Sequence, residues 1–349
     1  ILDREGKNIF VANVKGVGSR NQRTDRAGYN SHDHLGTVSI IVTPSLKELE
    51  RMTETVRLNN SFEKRKKNLS RPFGKSTKVP VPVNPRQTSY FKHVVYIIKE
   101  NRTYDQVFGD IPQGDGDTSL VQFGREVTPN HHKLAETFVL LDNFYCSGIL
   151  SADGHQWTDE AFVTDYLEKS FGGFTRSYPY DGGDPLAYAS SGFIWDNVLR
   201  HGLTFRTYGE FVDAAIDPPE ATFSEIYRDF IEGTNKIKIR AKANIEQLTP
   251  YMCPTFIGFP GKVSDVYRAS EFIKELKEFE ENGSFPNFII MLLPNDHTSG
   301  TQPGMPTPQA AVADNDLALG QIVEAISRSK FWKETCILVT EDDPQNGLD

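Results

Sequence analysis

Three short apolar runs in this chain lead directly into side chains that carry acid, amide or imidazole groups. Residues 94–98 (Val-Val-Tyr-Ile-Ile) lead into Lys99, Glu100, Asn101 and Arg102. Residues 288–293 (Phe-Ile-Ile-Met-Leu-Leu) lead into Asn295, Asp296 and His297, and residues 336–339 (Cys-Ile-Leu-Val) into Glu341, Asp342 and Asp343. Glu100, Asn101, Asp342 and Asp343 offer oxygen donors only, a set that favours a hard or borderline divalent cation. Each pair also has a plainer reading, Asn101 as the cap of a helix that opens near Arg102 and Asp342-Asp343 as an acidic turn. Ser151 precedes an expected helix at about 156–167. A helix N-terminus supplies N–H groups and the positive end of a dipole, which suits a phosphoryl oxygen. A serine there that also ligates a metal becomes a nucleophile near neutral pH. The plainer reading of Ser151 is an N-cap.

For such groups to act together, the elements that carry them must end at one place. Short continuous apolar runs read as strands covered on both faces, and open α/β sheets collect ligands beyond the carboxyl ends of their strands. Amphipathic helices are expected at 264–281 and 310–328, the second lying between two of the strands as a crossover. From His93 onward the alternation is that of a doubly wound α/β domain. Residues 170–260 are rich in Gly, Pro and aromatics, and read as insertions that wall an active site. Before His93, residues 1–45 hold two short β segments around a polar loop, too little to stand alone. Residues 46–92 form a helix carrying Leu46, Leu49, Met52 and Val56, then a Pro- and Lys-rich linker with a basic run at 64–78. The expected division is therefore 1–45, 46–92 and 93–349.

The bulk numbers narrow the function classes. With 349 residues there is room for one large domain and something smaller. A formal charge of −9 argues against a general nucleic-acid binder, which needs a basic surface. No apolar run approaches the roughly 20 residues of a membrane span. Cys146, Cys253 and Cys336 are too few and too scattered for a disulfide framework or a thiolate zinc site. Neither end reads as a natural terminus, so the chain is expected to be a fragment cut at both ends.

Residues 97–109 (Ile-Ile-Lys-Glu-Asn-Arg-Thr-Tyr-Asp-Gln-Val-Phe-Gly) resemble the opening motif of the phosphoesterase family. That family contains bacterial phospholipases C and acid phosphatases, within the alkaline phosphatase superfamily. The resemblance continues through Ser151-Ala152-Asp153-Gly154-His155, Pro294-Asn295-Asp296-His297-Thr298 and Thr340-Glu341-Asp342-Asp343, and spans 93–349. Residues 3–13 resemble part of a YVTN-type β-propeller blade, and the joined order resembles a bacterial architecture.

The resemblance implies an α/β fold with a doubly wound sheet of alkaline phosphatase type, after a partial propeller-like segment. It implies a divalent metal (Ca, Mn, Mg, Fe or Zn) on Glu100, Asn101, Ser151, Asp342 and Asp343. Ser151 would be the nucleophile, passing through a phosphoserine. His297, with Asp296 beside it, would hold the substrate phosphate, and His155 would do similar work or protonate the leaving oxygen. Asp165 would either line the pocket or sit on the surface. The substrate would be a small-molecule or lipid phosphate ester, and the location periplasmic or secreted. Where the phospholipase branch has Asp-Glu-His-Gly-Gly, this chain has Asp342-Asp343-Pro344-Gln345-Asn346-Gly347, which places it nearer the phosphatase-like members. The family continues beyond this point with further histidines and strands. One rival is a phospholipase C-like phosphodiesterase with an apolar wall from Phe171, Phe174, Tyr178 and Tyr180. Another is a propeller-based binding protein with an inactive α/β domain. Sulfatase chemistry is disfavoured, since no Cys/Ser-x-Pro-x-Arg motif surrounds Ser151.

Overall fold

The computed structural model describes residues 1–13, 36–62, 78–82, 87–148, 150–170 and 182–344. The polar loop after the first strand, most of the basic linker, the aromatics Phe171, Phe174, Tyr178 and Tyr180, and Gln345, Asn346 and Gly347 lie outside the described residues. The chain divides into two compact units, one within residues 1–92 and one from His93 onward.

In the first unit, β1 (Asn8–Asn13) and β2 (Thr37–Val42) pair antiparallel, Asn8 opposite Val42 and Asn13 opposite Thr37. Helix α1 (Leu46–Asn59) starts with a reciprocal cap in which Ser45 Oγ accepts the Glu48 N–H and the Glu48 carboxylate accepts the Ser45 N–H. Leu46, Leu49, Met52 and Val56 share one stripe of α1, yet no residue of the helix is buried. Among the described residues this unit is one two-stranded sheet and one helix. The propeller likeness of residues 3–13 therefore rests on sequence.

The strands of the second unit are β3 (His93–Lys99), β4 (Phe205–Tyr208), β5 (Val212–Asp217), β6 (Lys238–Ala243), β7 (Phe288–Leu293) and β8 (Thr335–Glu341). Its helices are α2 (Tyr104–Phe108), α3 (Pro129–Thr137), α4 (Ser151–Glu160), α5 (Asp165–Ser170), α6 (Ile194–Arg200), α7 (Phe223–Glu232), α8 (Asp265–Asn282) and α9 (Pro308–Arg328). A parallel sheet runs in the order β4-β7-β3-β8, and β5 and β6 form a separate antiparallel ribbon. The unit is thus mixed α/β around a central parallel sheet. No described helix is long and apolar enough to cross a membrane.

Side chains alternate across the sheet with period two. Ile289, Met291 and Leu293 of β7 join Val95 and Ile97 of β3 against Phe272 and Leu276 of α8 and Leu319, Ile322 and Ile326 of α9. Ile290 and Leu292 face the other way with Ile98, onto Phe193, Trp195, Phe205 and Phe211. Burying one such side chain contributes roughly 1.5–3 kcal/mol, so a slip of one residue would be heavily penalised. Helix α8 opens on Ser264, whose Oγ accepts the Tyr267 N–H, and closes at Gly283 in the left-handed region. Helix α9 starts with Thr307 as cap and Pro308 in the first turn, and connects β7 to β8.

Two expectations are corrected. The middle of the chain is more than wall insertions, because β4 is a fourth strand of the main sheet. It is only four residues long and Arg206 and Thr207 interrupt its apolar pattern, which hid it. Strand β8 is not covered on both faces. Among the described residues it lies at the edge of the sheet, and its central Leu338 and Val339 are exposed.

Candidate active site

Register brings the strand ends level: Lys99, the last residue of β3, pairs with Leu293 on one side and Glu341 on the other. The next three backbone N–H groups of that strand end all find carboxylates from its two neighbours. Glu100 N–H donates to Asp296 Oδ1 at 3.1 Å, Asn101 N–H to Asp342 Oδ1 at 3.1 Å, and Arg102 N–H to Glu341 Oε2 at 3.2 Å. Asn101 has φ +60°, a left-handed backbone that asparagine tolerates better than most residues. It does not cap the following helix. Thr103 does so, with Gln106 completing a capping box.

Helix α4 starts at Ser151 rather than near Gln156, and it ends at Glu160, where Ala161 turns left-handed at φ 54°. Leu150 is its N-cap residue, and the Asp153 carboxylate accepts the Leu150 N–H at 3.0 Å. Ser151 is therefore not a capping serine. Its Oγ lies 3.0 Å from Asp343 Oδ2, 3.1 Å from Asn101 Oδ1 and 3.5 Å from Glu100 Oε2. Gly154 lets this helix approach: a Cβ there would sit 2.6 Å from the Asp342 carbonyl oxygen.

Four residues after Ser151, on the same helical face, comes His155. Its Nε2 is 3.1 Å from Glu100 Oε1 and 3.4 Å from Asp342 Oδ2, while its Nδ1 is 2.7 Å from Glu210 Oε1. Glu210 follows β4, and Asp159, one further turn along α4, is buried with it. Burial alone would lower the His155 pKa, but the Glu210 and Glu100 carboxylates outweigh it and hold the imidazole well above its ordinary value. Burial, then Asp343 and Glu100, push the Asp342 carboxyl well up, and burial with Glu210 does the same to Asp159. Carboxylates packed this closely out of water demand positive charge. One atom each from Glu100, His155 and Asp342 lies within 4.8 Å of the others, close enough to share an ion. Together with the oxygens of Asn101, Ser151 and Asp343, the donors fit a divalent cation of hard or borderline character.

The structure thus brings together Glu100, Asn101, Ser151, His155, Asp342 and Asp343. It does not bring Asp296 and His297 to them in the same way. Asp296 is fully buried, with Oδ2 2.9 Å from Lys99 Nζ, and it braces Glu100 from beneath. Lys99 also meets Glu341 at 2.8 Å; burial opposes its charge, but the two carboxylates hold the ammonium above its usual value. His297 turns Nδ1 to the Thr298 carbonyl at 2.9 Å and packs edge-on against Phe259. Among the contacts between described residues, none joins His297 to Ser151. Phe259 is itself carried by a loop that Arg268, fully buried, pins through the carbonyls of Ile257 at 2.9 Å and Pro260 at 3.1 Å. Asp165 is exposed at the start of α5.

Glu210 and Asp159 escaped sequence reasoning. The signal for Glu210 was the same strand-to-acid pattern, since Phe205–Tyr208 runs into Gly209 and Glu210. Asp159 lies four residues beyond His155, on the helical face that carries the site.

No family model matches the chain, and no curated protein does. Among solved structures the chain is similar to a protein in the alkaline phosphatase superfamily from Vibrio parahaemolyticus. The TM-score is 0.43 and the identity 18%, over 73% of this chain and 55% of that one, so this chain spans little more than half the length of that protein.

Proposed function

We propose that this chain is a metal-dependent phosphoesterase of phosphatase type, with Ser151 as nucleophile and a phosphoserine intermediate. The observation that carries the reading is the convergence on Ser151 Oγ of Asp343, Asn101 and Glu100, at 3.0, 3.1 and 3.5 Å. The resemblance of the four strand-end and helix motifs to the phosphoesterase family supports it.

Glu100, Asn101, Ser151, Asp342, Asp343 and His155 Nε2 would hold a divalent cation, which when bound acidifies a hydroxyl and offsets charge on a phosphoryl group. An imidazole nitrogen among these donors favours Mn, Fe or Zn over Mg or Ca. Ser151 Oγ attacks phosphorus in line with the departing alcohol, its hydroxyl directed at Asp343 Oδ2, which gives the proton an acceptor. The N-terminus of α4 faces the phosphoryl oxygens and favours their negative charge. Water then cleaves the phosphoserine. In this reading His155 holds the metal, His297 serves the outer rim of the pocket, and Asp296 keeps Glu100 in place. The catalytic part is 93–349, preceded by a segment at 1–45 and a linker at 46–92. Export to the periplasm or the medium rests on the family resemblance.

The test is release of nitrophenol from a nitrophenyl phosphate monoester and from nitrophenyl phosphorylcholine, with added Mn²⁺ or Zn²⁺ and with a chelator. Chelator-sensitive cleavage, faster on the monoester, is expected. Faster cleavage of the phosphorylcholine diester would move the reading to a phospholipase C-like enzyme. Folded, metal-loaded protein that cleaves neither ester would defeat it.

A further inference from the structure

His155 has a carboxylate on each ring nitrogen, and only one of the two sides belongs to the cluster around Ser151. Nε2 faces Glu100 and Asp342; Nδ1 meets Glu210 Oε1 at 2.7 Å, the shortest of these contacts. A neutral imidazole ligates through one nitrogen only if the other carries the hydrogen, and whatever accepts that hydrogen decides which nitrogen is free. Resting on the metal-dependent reading above, we propose that Glu210 is a positioning residue for the metal. It accepts the Nδ1–H of His155 and so turns the Nε2 lone pair toward the space between Glu100 and Asp342.

The backbone around Glu210 is bent to make this contact. Gly209 has φ +93° and Phe211 φ +50°, so left-handed residues flank Glu210 on both sides. For a bulky aromatic that conformation is costly and persists only where the surroundings enforce it. They do so here. The Phe211 ring lies edge-on to His155 at 6.4 Å and packs against Phe193 and Trp195. On the other side Gly258 presses so close that a Cβ would fall 2.2 Å from the Gly209 carbonyl oxygen and 2.5 Å from that of Val212. The turn is thus clamped between an aromatic cluster and the loop pinned by Arg268, and its one inward-pointing carboxylate lies against a histidine. The cavity beside it, lined by His155, Glu210, Asn244 and Phe259, has room for about 20 Å³. That is room for about one water. Asp159 is buried beside Glu210, on the side of the histidine away from Ser151. A carboxylate behind a ligating imidazole raises its basicity as well as fixing its ring.

The experiment is Co²⁺ titration of the whole chain by calorimetry and visible absorption, for wild type, Glu210→Gln, His155→Asn and the double variant. Glu210→Gln should bind one Co²⁺ with affinity reduced about 10–100-fold and an altered visible band. Its metal-free melting temperature should fall, because His155 loses a buried partner, so the visible band of the bound Co²⁺ is the readout that separates the roles. A merely structural glutamate would lower melting temperature and affinity and leave that band as in wild type. Adding Glu210→Gln to His155→Asn should cost no further affinity, since Glu210 acts through the ring. Additive losses, or an unaltered affinity in Glu210→Gln, would overturn the proposal. Two Co²⁺ per wild-type chain with one lost in Glu210→Gln would do so too, by making Glu210 a ligand of its own. If Glu210→Gln does not fold, the same cycle is read with Glu210→Asp. A wild type that binds no Co²⁺, Mn²⁺ or Zn²⁺ removes the metal-dependent reading itself, and this inference with it.

Discussion

The Asn101 backbone N–H donates to Asp342 Oδ1 at 3.1 Å, joining the end of β3 to the end of β8 across 241 residues of sequence. The bond exists because Lys99 and Glu341 are paired at the ends of the two strands, so the two chains leave the sheet at the same height. The left-handed turn at Asn101 then sends its side chain to Ser151 Oγ. One residue supplies backbone geometry and a side-chain oxygen at once.

Those two contributions can be separated. Asn101→Gly keeps the left-handed backbone without its amide, whereas Asn101→Ala also meets the steric cost of that region, about 1–2 kcal/mol. Both variants should lose chelator-sensitive hydrolysis to a similar degree. Urea denaturation should place Asn101→Ala below Asn101→Gly by about 1 kcal/mol. Equal stabilities would show that the left-handed turn demands nothing of the residue.

Ser151→Ala should lower turnover on the order of 10³-fold or more. Mn²⁺ affinity should fall far less, because the other donors remain. Steady-state kinetics beside a metal titration would check this, and turnover equal to wild type would rule Ser151 out as nucleophile.

Gly154→Ala ought to favour helix formation by about 1 kcal/mol on propensity alone. Its Cβ would nevertheless stand 2.6 Å from the Asp342 carbonyl oxygen, which is backbone and cannot swing aside. A net destabilisation of roughly 1–3 kcal/mol is expected, with weakened metal binding, because Asp342 and Ser151 are forced apart. Thermal melts with and without Mn²⁺ would show both effects.

His131 predicts a pH dependence separate from the site. Its Nδ1 lies 2.6 Å from Asp316 Oδ1, and burial, with Lys99 nearby, pulls its pKa down to about 4. The unfolded chain titrates this group near 6.5, so between those values the unfolded state binds more protons. Stability from this residue is present above pH 6.5 and is lost as the pH falls toward 4. Urea midpoints at pH 7 and pH 5 should differ less in His131→Asn than in wild type. An identical difference in both would remove His131 as the cause.

Lys99→Met would leave the buried Asp296 and the half-buried Glu341 without the ammonium that both contact. Breaking a buried pair by removing one partner typically costs about 3–5 kcal/mol. Chemical denaturation measures this directly. A loss below about 1 kcal/mol would mean that one of the two carboxylates is already protonated in the wild type.

Where β3, β7 and β8 end and which donors follow them is legible in the sequence, because uninterrupted apolar runs and their polar stops are local signals. Their apolar stripes likewise mark helices α8 and α9. What each donor faces depends instead on contacts made in three dimensions. Asp296 and Asp342 both follow strands, yet one lies beneath Glu100 against Lys99 and the other reaches His155. Ser151 and His155 come to one site because α4 begins five residues earlier than its pattern suggested, which sets the phase of every side chain on it. Glu210 stayed hidden because β4 is short and its turn is held by neighbours remote in sequence, Phe193, Trp195 and the Arg268-pinned loop. Strand identity is written in neighbouring residues, whereas the direction of a side chain at a strand end depends on register, helix phase and a few left-handed turns. Those are settled by contacts between residues far apart in the chain.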